Sequence, residues 1–250
     1  MRERDGDSMI RTMAIEGEVD DRRGEARRPA LARDRAAAMP GGQGAIRWNG
    51  FYRRHAKRGV DLLVTSLVIL PITLVVLLIA LVVAVDGGRP FYSQRRVGLG
   101  GRSFTMFKIR TMVPDAEAVL ERHLATNPAD RAEWEHHQKL RRDPRITRVG
   151  RALRRSSLDE LPQFFNVLLG DMTLVGPRPF LPSQRSYYPG AEYYAMRPGI
   201  TGFWQTSVRN EASFVQRAAY DRSYYHALSP LTDLRVLGRT LRVVMRGTGL

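Results

Sequence analysis

Residues 62–85, LLVTSLVILPITLVVLLIALVVAV, carry no charged side chain. As one α-helix at ~1.5 Å per residue the run reaches about 36 Å, more than the ~30 Å of a bilayer's hydrocarbon core. A run this long and apolar belongs in lipid, and every other segment must be arranged around it. Pro71 lies inside it. Proline removes a backbone donor and crowds the preceding turn, so a kink or break is expected there. Arg53, Arg54, Lys57 and Arg58 precede the run, and Arg89, Arg95, Arg96 and Arg102 follow it. Positive charge marks the cytoplasmic side of a membrane segment. Both flanks carry it, which favours a re-entrant helical hairpin turning at Pro71 over a kinked single span. Asp61 at the start of the run needs a partner, and Lys57 stands four residues earlier.

The remainder is strongly basic. Lys and Arg number 40 against 25 Asp and Glu, a formal net charge of +15. Such an excess implies an anionic partner: nucleic acid, a membrane surface or a phosphorylated substrate. The chain has no cysteine, which excludes disulfides, thiolate metal sites and a cysteine nucleophile. Residues 1–45 read as a disordered basic tail, rich in charge, Gly and Pro and without a signal peptide's apolar core. Three segments follow: the tail 1–45, a membrane helix over 46–86 and a catalytic domain over 87–250.

Within the last segment, Asp86-Gly87-Gly88 and Gly98 to Gly101 are turn signals around aromatic and β-branched runs, which predicts a β-hairpin. Phe104, Met106, Lys108 and Arg110 share one face of its second strand. Two charged helices follow, separated near Asn127-Pro128. His123, His136 and His137 lie there, with Glu133 four residues before His137, but no third zinc ligand arrives at a convincing spacing. Near the end, Leu234, Leu237, Leu241, Val244 and Met245 fall on one helical face, with Arg235, Arg239, Arg242 and Arg246 on the rest. That pattern suits a helix lying on anionic lipid. The fold class is α+β, mostly helical: a monotopic membrane protein with a re-entrant helical hairpin, a small β-hairpin and interfacial amphipathic helices.

The stretch RRSSLDELPQ, residues 154–163, sets Asp159 and Glu160 side by side behind a basic run. One reading is structural. Ser157 and Glu160 have capping-box spacing, and carboxylates favour the first turn of a helix. The other is chemical. Arg145, Arg148, Arg151 and Arg154 recur every three residues, Arg178 is stiffened by prolines on both sides, and Lys108 and Arg110 end a strand. Cations that cradle a diphosphate, beside carboxylates that hold Mg²⁺ or attack phosphorus, make a phosphoryl-transfer site.

KRGVD before the apolar run, FKIRTM, DPRITRVGRALRRSSLDELPQFFNVLLGDMTLVGPRP and RPGITGFWQ together resemble the bacterial sugar transferases, the monotopic phosphoglycosyl transferases that begin exopolysaccharide, capsule and O-antigen synthesis. The resemblance spans residues 57–249. It implies transfer of a sugar 1-phosphate from a nucleotide diphosphate sugar, usually a UDP-sugar, to undecaprenyl phosphate at the cytoplasmic face of the bacterial inner membrane, with UMP leaving. It implies a phosphosugar formed on Asp159, with Glu160 assisting alongside Mg²⁺, and Lys108, Arg154 and Arg178 holding phosphate. Pro71 matches the family's membrane-helix break. WQTSVRNEASF departs from the commoner pattern, with Val208 where glycine is typical. Anionic lipids are expected partners and a homo-oligomer is left open. The rival class, a membrane-anchored basic scaffold or nucleic-acid-binding protein, lacks a recognition helix or base-stacking platform to support it.

Overall fold

The uncharged run and the charged residues before it form one helix, α1 (Lys57–Val85), preceded by a π-helical turn at Tyr52–Ala56. The structure, a computed structural model, describes residues 50–137, 140–207 and 214–245. The tail expected over 1–45 and the loop containing Val208 lie outside the described residues. Along α1, Leu63, Leu67, Leu70, Leu74, Leu81 and Val85 are 61–84% exposed. By length and hydropathy the helix could cross a membrane, and apolar surface on this scale associates with lipid.

α1 does not break into two helices at Pro71. Backbone polar groups surrounded by apolar side chains must stay bonded, so the helical ladder continues past the one donor that proline removes. Nearby, the Thr73 hydroxyl bonds the Ile69 carbonyl at 2.7 Å. Any reversal of direction is therefore a bend within one helix rather than a turn between two. Both ends of α1 are fastened to the rest of the protein. Arg58 Nη1 donates to the Val167 carbonyl at 2.6 Å, and the Thr173 hydroxyl donates to Asp61. At the far end, Arg110 Nη2 donates to the Val83 carbonyl at 3.0 Å.

The hairpin forms as its turn signals predict. β1 (Phe91–Val97) pairs antiparallel with β2 (Ser103–Ile109), Phe91 opposite Ile109 and Val97 opposite Ser103. Gly100 and Gly101 take positive φ in the connection, which glycine alone does without strain. Phe104 and Met106 bury their side chains as the two-residue period requires. α2 (Ala116–Thr126) and α3 (Pro128–His137) meet at Asn127, as the proline dictates. Thr147 caps α4 (Arg148–Ser156), its hydroxyl accepting from Gly150 N at 2.8 Å. α5 (Gln163–Leu169) stops at Gly170, which is left-handed at φ 91°.

A second, parallel pair was not foreseen: β3 (Thr173–Val175) with β4 (Gly199–Thr201). Glycine makes it possible. A Cβ on Gly199 would stand 2.1 Å from Gly176 N, and one on Gly202 2.1 Å from Gly176 O. The chain closes with α6 (Phe203–Ser207), α7 (Arg217–Ala227) and α8 (Pro230–Met245). The largest core joins Phe104 and Met106 of the hairpin to Val167, Leu174, Val175, Tyr224 and Val236. The protein is thus mostly helical with two small sheets, consistent with α+β.

Four of the five residues expected on the apolar face of α8, Leu234, Leu241, Val244 and Met245, are exposed, and only Leu237 departs. Leu237 packs against the core beside buried Val236. Leu231 extends the exposed stripe by one more residue.

Candidate active site

Ser157 stands at the N-cap position of the turn after α4, but its side chain does not cap it. It ends α4 in the left-handed conformation at φ 58°, its amide bonded to the Arg154 carbonyl at 3.1 Å, and its side chain makes no capping bond. Glu160 N donates to the Ser157 carbonyl at 3.2 Å. The capping-box reading therefore fails. Asp159 and Glu160 stand in a 3₁₀ turn, Leu158–Glu160, between α4 and α5.

That turn lies against the end of β2. Lys108 Nζ is 2.7 Å from Glu160 Oε1 and 3.5 Å from Asp159 Oδ2, so one ammonium bridges both carboxylates. Arg178 Nη2 reaches Glu160 Oε1 at 3.4 Å. Its backbone follows the close contact of Gly176 with β4, and flanking prolines fix its direction. Arg154 anchors its Nε on the Thr111 hydroxyl at 2.9 Å and sets its charge against Asp159. The structure thus gathers all five sequence-predicted residues: Asp159, Glu160, Lys108, Arg154 and Arg178.

The rest of the arginine series does not join them. Arg145 lies before α4 and turns back on Asp143, Nη2 to Oδ2 at 2.6 Å. Arg148 and Arg151 are exposed. A three-residue repeat runs off one face of a 3.6-residue helix, so only Arg154 reaches the turn. Arg110 lies one residue past β2 and bonds the end of α1 instead.

Burial pushes the Asp159 carboxyl above its ordinary range. Lys108 opposes that push, Glu160 adds to it, and Arg154 opposes it. Two cations thus oppose a burial that disfavours the charge of the carboxylate, a poise characteristic of reactive groups. Among the described residues no three His, Cys, Asp or Glu side chains gather as a metal cluster. The Asp159–Glu160 pair nonetheless suits Mg²⁺, which takes one or two carboxylates and fills its shell with substrate phosphate oxygens and water.

Residues 52–247 match the bacterial sugar transferase family. The chain belongs to that family. It is 44% identical over 199 residues to the UDP-galactose-lipid carrier transferase of Erwinia amylovora, a match covering 78% of this chain and 42% of that one. It is 41% identical over 198 residues to the undecaprenyl-phosphate galactose phosphotransferase of Salmonella typhimurium, again 42% of that protein. With the exopolysaccharide production protein ExoY of Sinorhizobium fredii it shares 40% over 214 residues, 84% of this chain and 93% of the relative. The chain therefore spans under half the length of the first two and nearly all of the third.

In this sugar transferase, sequence reasoning missed Arg96, Arg217 and Trp204, which lie beside Arg178. Arg217 Cζ is 4.0 Å from the Trp204 ring centroid and Arg178 Cζ is 6.0 Å from it. The motif RPGITGFWQ was noted as a family mark, but nothing in its spacing placed the tryptophan against GPRP. The glycine contacts of Gly176, Gly199 and Gly202 were the signal available.

Proposed function

We propose that this bacterial sugar transferase moves a sugar 1-phosphate from a UDP-sugar to undecaprenyl phosphate and releases UMP, the first membrane step of exopolysaccharide, capsule or O-antigen synthesis. The observation that carries this reading is the Asp159–Glu160 pair bridged by Lys108 and flanked by Arg154 and Arg178. The printed functions of the Erwinia and Salmonella relatives support the same class.

In this scheme an Asp159 oxygen attacks the phosphorus that bears the sugar. The bond to the bridging oxygen breaks and UMP departs with that oxygen, leaving a sugar phosphate on the carboxylate. The phosphate oxygen of undecaprenyl phosphate then attacks the same phosphorus. The bond to Asp159 breaks, the carboxylate is regenerated, and a lipid-linked sugar diphosphate leaves. Lys108, Arg154 and Arg178 hold the phosphate oxygens as negative charge shifts between them. Glu160 keeps Lys108 and Arg178 aimed at the reacting group. Asp159 and Glu160 would hold Mg²⁺, which supplies further neutralisation of phosphate charge when bound.

The membrane part fits the same scheme. Both ends of α1 bond one folded body, at Arg58–Val167 and Arg110–Val83. A body lying on one side of a bilayer cannot hold both ends of a straight span, so α1 enters and leaves by the same face, bending near Pro71. The basic flanks assign that face to the cytoplasm of the inner membrane. The exposed stripe of α8, with Arg235, Arg239 and Arg242, rests on anionic lipid.

The test is UMP release by nanodisc-embedded protein given undecaprenyl phosphate, Mg²⁺ and a panel of UDP-sugars. Wild type should release UMP from at least one donor, and Asp159→Asn should lower the rate by at least ~1,000-fold. Turnover by Asp159→Asn at the wild-type rate rules out the nucleophile.

A further inference from the structure

Arg96, Arg178 and Arg217 lie close enough to act on one another, from three separate stretches of chain. Val97 N bonds the Phe180 carbonyl at 3.0 Å, which lays the end of β1, with Arg96, beside the proline-flanked segment that carries Arg178. Arg217 opens α7 and stacks on Trp204, its Cζ 4.0 Å from the ring centroid. Arg178 approaches the same ring at 6.0 Å while its Nη2 reaches Glu160.

Among the described residues, two carboxylates act on these arginines. Glu160 is shared between Lys108 and Arg178. Asp221 acts on Arg217, but its carboxylate accepts the Tyr188 hydroxyl. Burial raises Asp221 to about 7 and so weakens it as a counter-charge near neutrality. Burial, Arg178 and Arg96 together lower Arg217 to about 10, and burial and Arg178 lower Arg96.

Two buried donors nearby lack acceptors. Trp204 is 8% exposed, and its indole N–H has no acceptor among the described residues. Arg96 Nε is buried and likewise without an acceptor, although its Nη2 bonds Gln94. Buried donors without acceptors are costly, and guanidinium groups bind phosphate oxygens through paired, charge-assisted bonds. An anion rich in acceptor oxygens would relieve both the charge and the missing bonds.

We propose that Arg96, Arg217 and Trp204 extend the Arg178 end of the site into a second phosphate subsite, distinct from the Lys108–Arg154 side. Its ligand is a phosphate monoester that is not the group transferred. That monoester is either the nucleoside monophosphate as it leaves or the polyprenyl phosphate as it arrives. The inference rests on the transfer reaction proposed above.

The experiment uses full-length protein in nanodiscs. Calorimetric titration with UMP and with inorganic pyrophosphate is paired with the KM for undecaprenyl phosphate. Arg96→Gln and Arg217→Gln should each weaken at least one of these constants tenfold or more. Arg217→Lys should fall between, and Arg151→Gln, an exposed arginine of α4, should match wild type. Melting temperatures identify any variant that is merely unfolded, and the lysine variant then carries the comparison. Weakened UMP binding assigns the subsite to the leaving nucleotide, and a change confined to the lipid KM assigns it to the acceptor. Wild-type constants throughout in both Gln variants overturn the subsite, even if UMP release stands. Pyrophosphate binding that depends on both arginines, in a protein that releases no UMP from any donor, keeps the subsite and removes the transfer reaction.

Discussion

Two lysines in this protein each bridge a pair of carboxylates with nearly the same geometry. Lys57 Nζ lies 2.7 Å from Asp233 and 3.8 Å from Asp61. Lys108 Nζ lies 2.7 Å from Glu160 and 3.5 Å from Asp159. Their surroundings differ. Around Lys57 the remaining acceptor sites are filled by neutral donors. Tyr52 and Tyr224 donate to Asp233 at 2.9 and 2.6 Å, and Thr173 donates to Asp61. Arg58, the next cation, is committed to the carbonyls of Val167 and Leu168. Around Lys108 the neighbours are the cations Arg154 and Arg178, so three positive charges face two negative ones. The first cluster is closed and joins α1, β3, α7 and α8. The second is open in chemistry, with positive charge to spare for a phosphate. The same bridged pair is thus closed where neutral hydroxyls complete it, and in the proposed scheme serves chemistry where cations surround it.

The comparison is broken most directly from the structural side. Asp233→Asn removes the charge paired with Lys57 and sets an amide NH₂ where one oxygen accepted, and should cost about 3 kcal/mol, the scale for opening a buried ion pair. Chemical denaturation checks it, and a loss under ~0.5 kcal/mol would mean that the closed cluster is not structural.

Glu160→Gln sharpens the other side. It should lower kcat by about 100-fold with the fold intact. It also removes a like charge that holds Asp159 up and frees Lys108 to pair with Asp159. Both effects ease ionisation of Asp159, so the acid limb of the rate profile should move to lower pH. A limb that stays in place or moves up contradicts the coupling.

Gly150→Ala probes the support beneath Arg154. A Cβ there would stand 2.0 Å from the Thr111 carbonyl oxygen. The substitution should destabilise by roughly 1–3 kcal/mol and lower kcat through displaced Arg154. A melting temperature equal to wild type would show that α4 can shift freely. Arg151→Gln, on the exposed side of α4, should change stability by less than about 0.5 kcal/mol and leave turnover alone.

Local signals in the sequence carried the elements that they govern. Asn127-Pro128 separates two helices, Gly170 stops α5, and the Gly98–Gly101 turn sets the hairpin. That Lys108, Arg154, Asp159, Glu160 and Arg178 belong together was legible because charge and proline spacing pointed at phosphate and the family resemblance ordered them. Where sequence reasoning failed, a longer-range contact decided the outcome. Ser157 had the composition of an N-cap, but the step from α4 into the 3₁₀ turn put it in the left-handed region. Leu237 had the right period for an outward face, yet the core beside Val236 took it inward. Asp61 looked satisfied by Lys57 alone, while Asp233 stood far along the chain. The strands β3 and β4, three residues each, are too short to leave a period. Only the glycines that let them approach marked their place.

The most direct measurement compares Asp159→Asn with Asp233→Asn, following UMP release and thermal melting in the same nanodiscs. Asp159 is raised by burial, so the folded state binds its proton more tightly than the unfolded chain does. Stability from this group is therefore present at low pH and is lost as pH rises through the interval between the unfolded and folded values. At neutral pH, Asp159→Asn should abolish UMP release and melt at or above the wild-type temperature, because Lys108 keeps Glu160. Asp233→Asn should melt well below wild type while its folded fraction still turns over. An Asp159→Asn protein that melts lower and keeps its turnover, beside an Asp233→Asn protein that keeps its stability and loses turnover, would reverse the two roles and contradict the account.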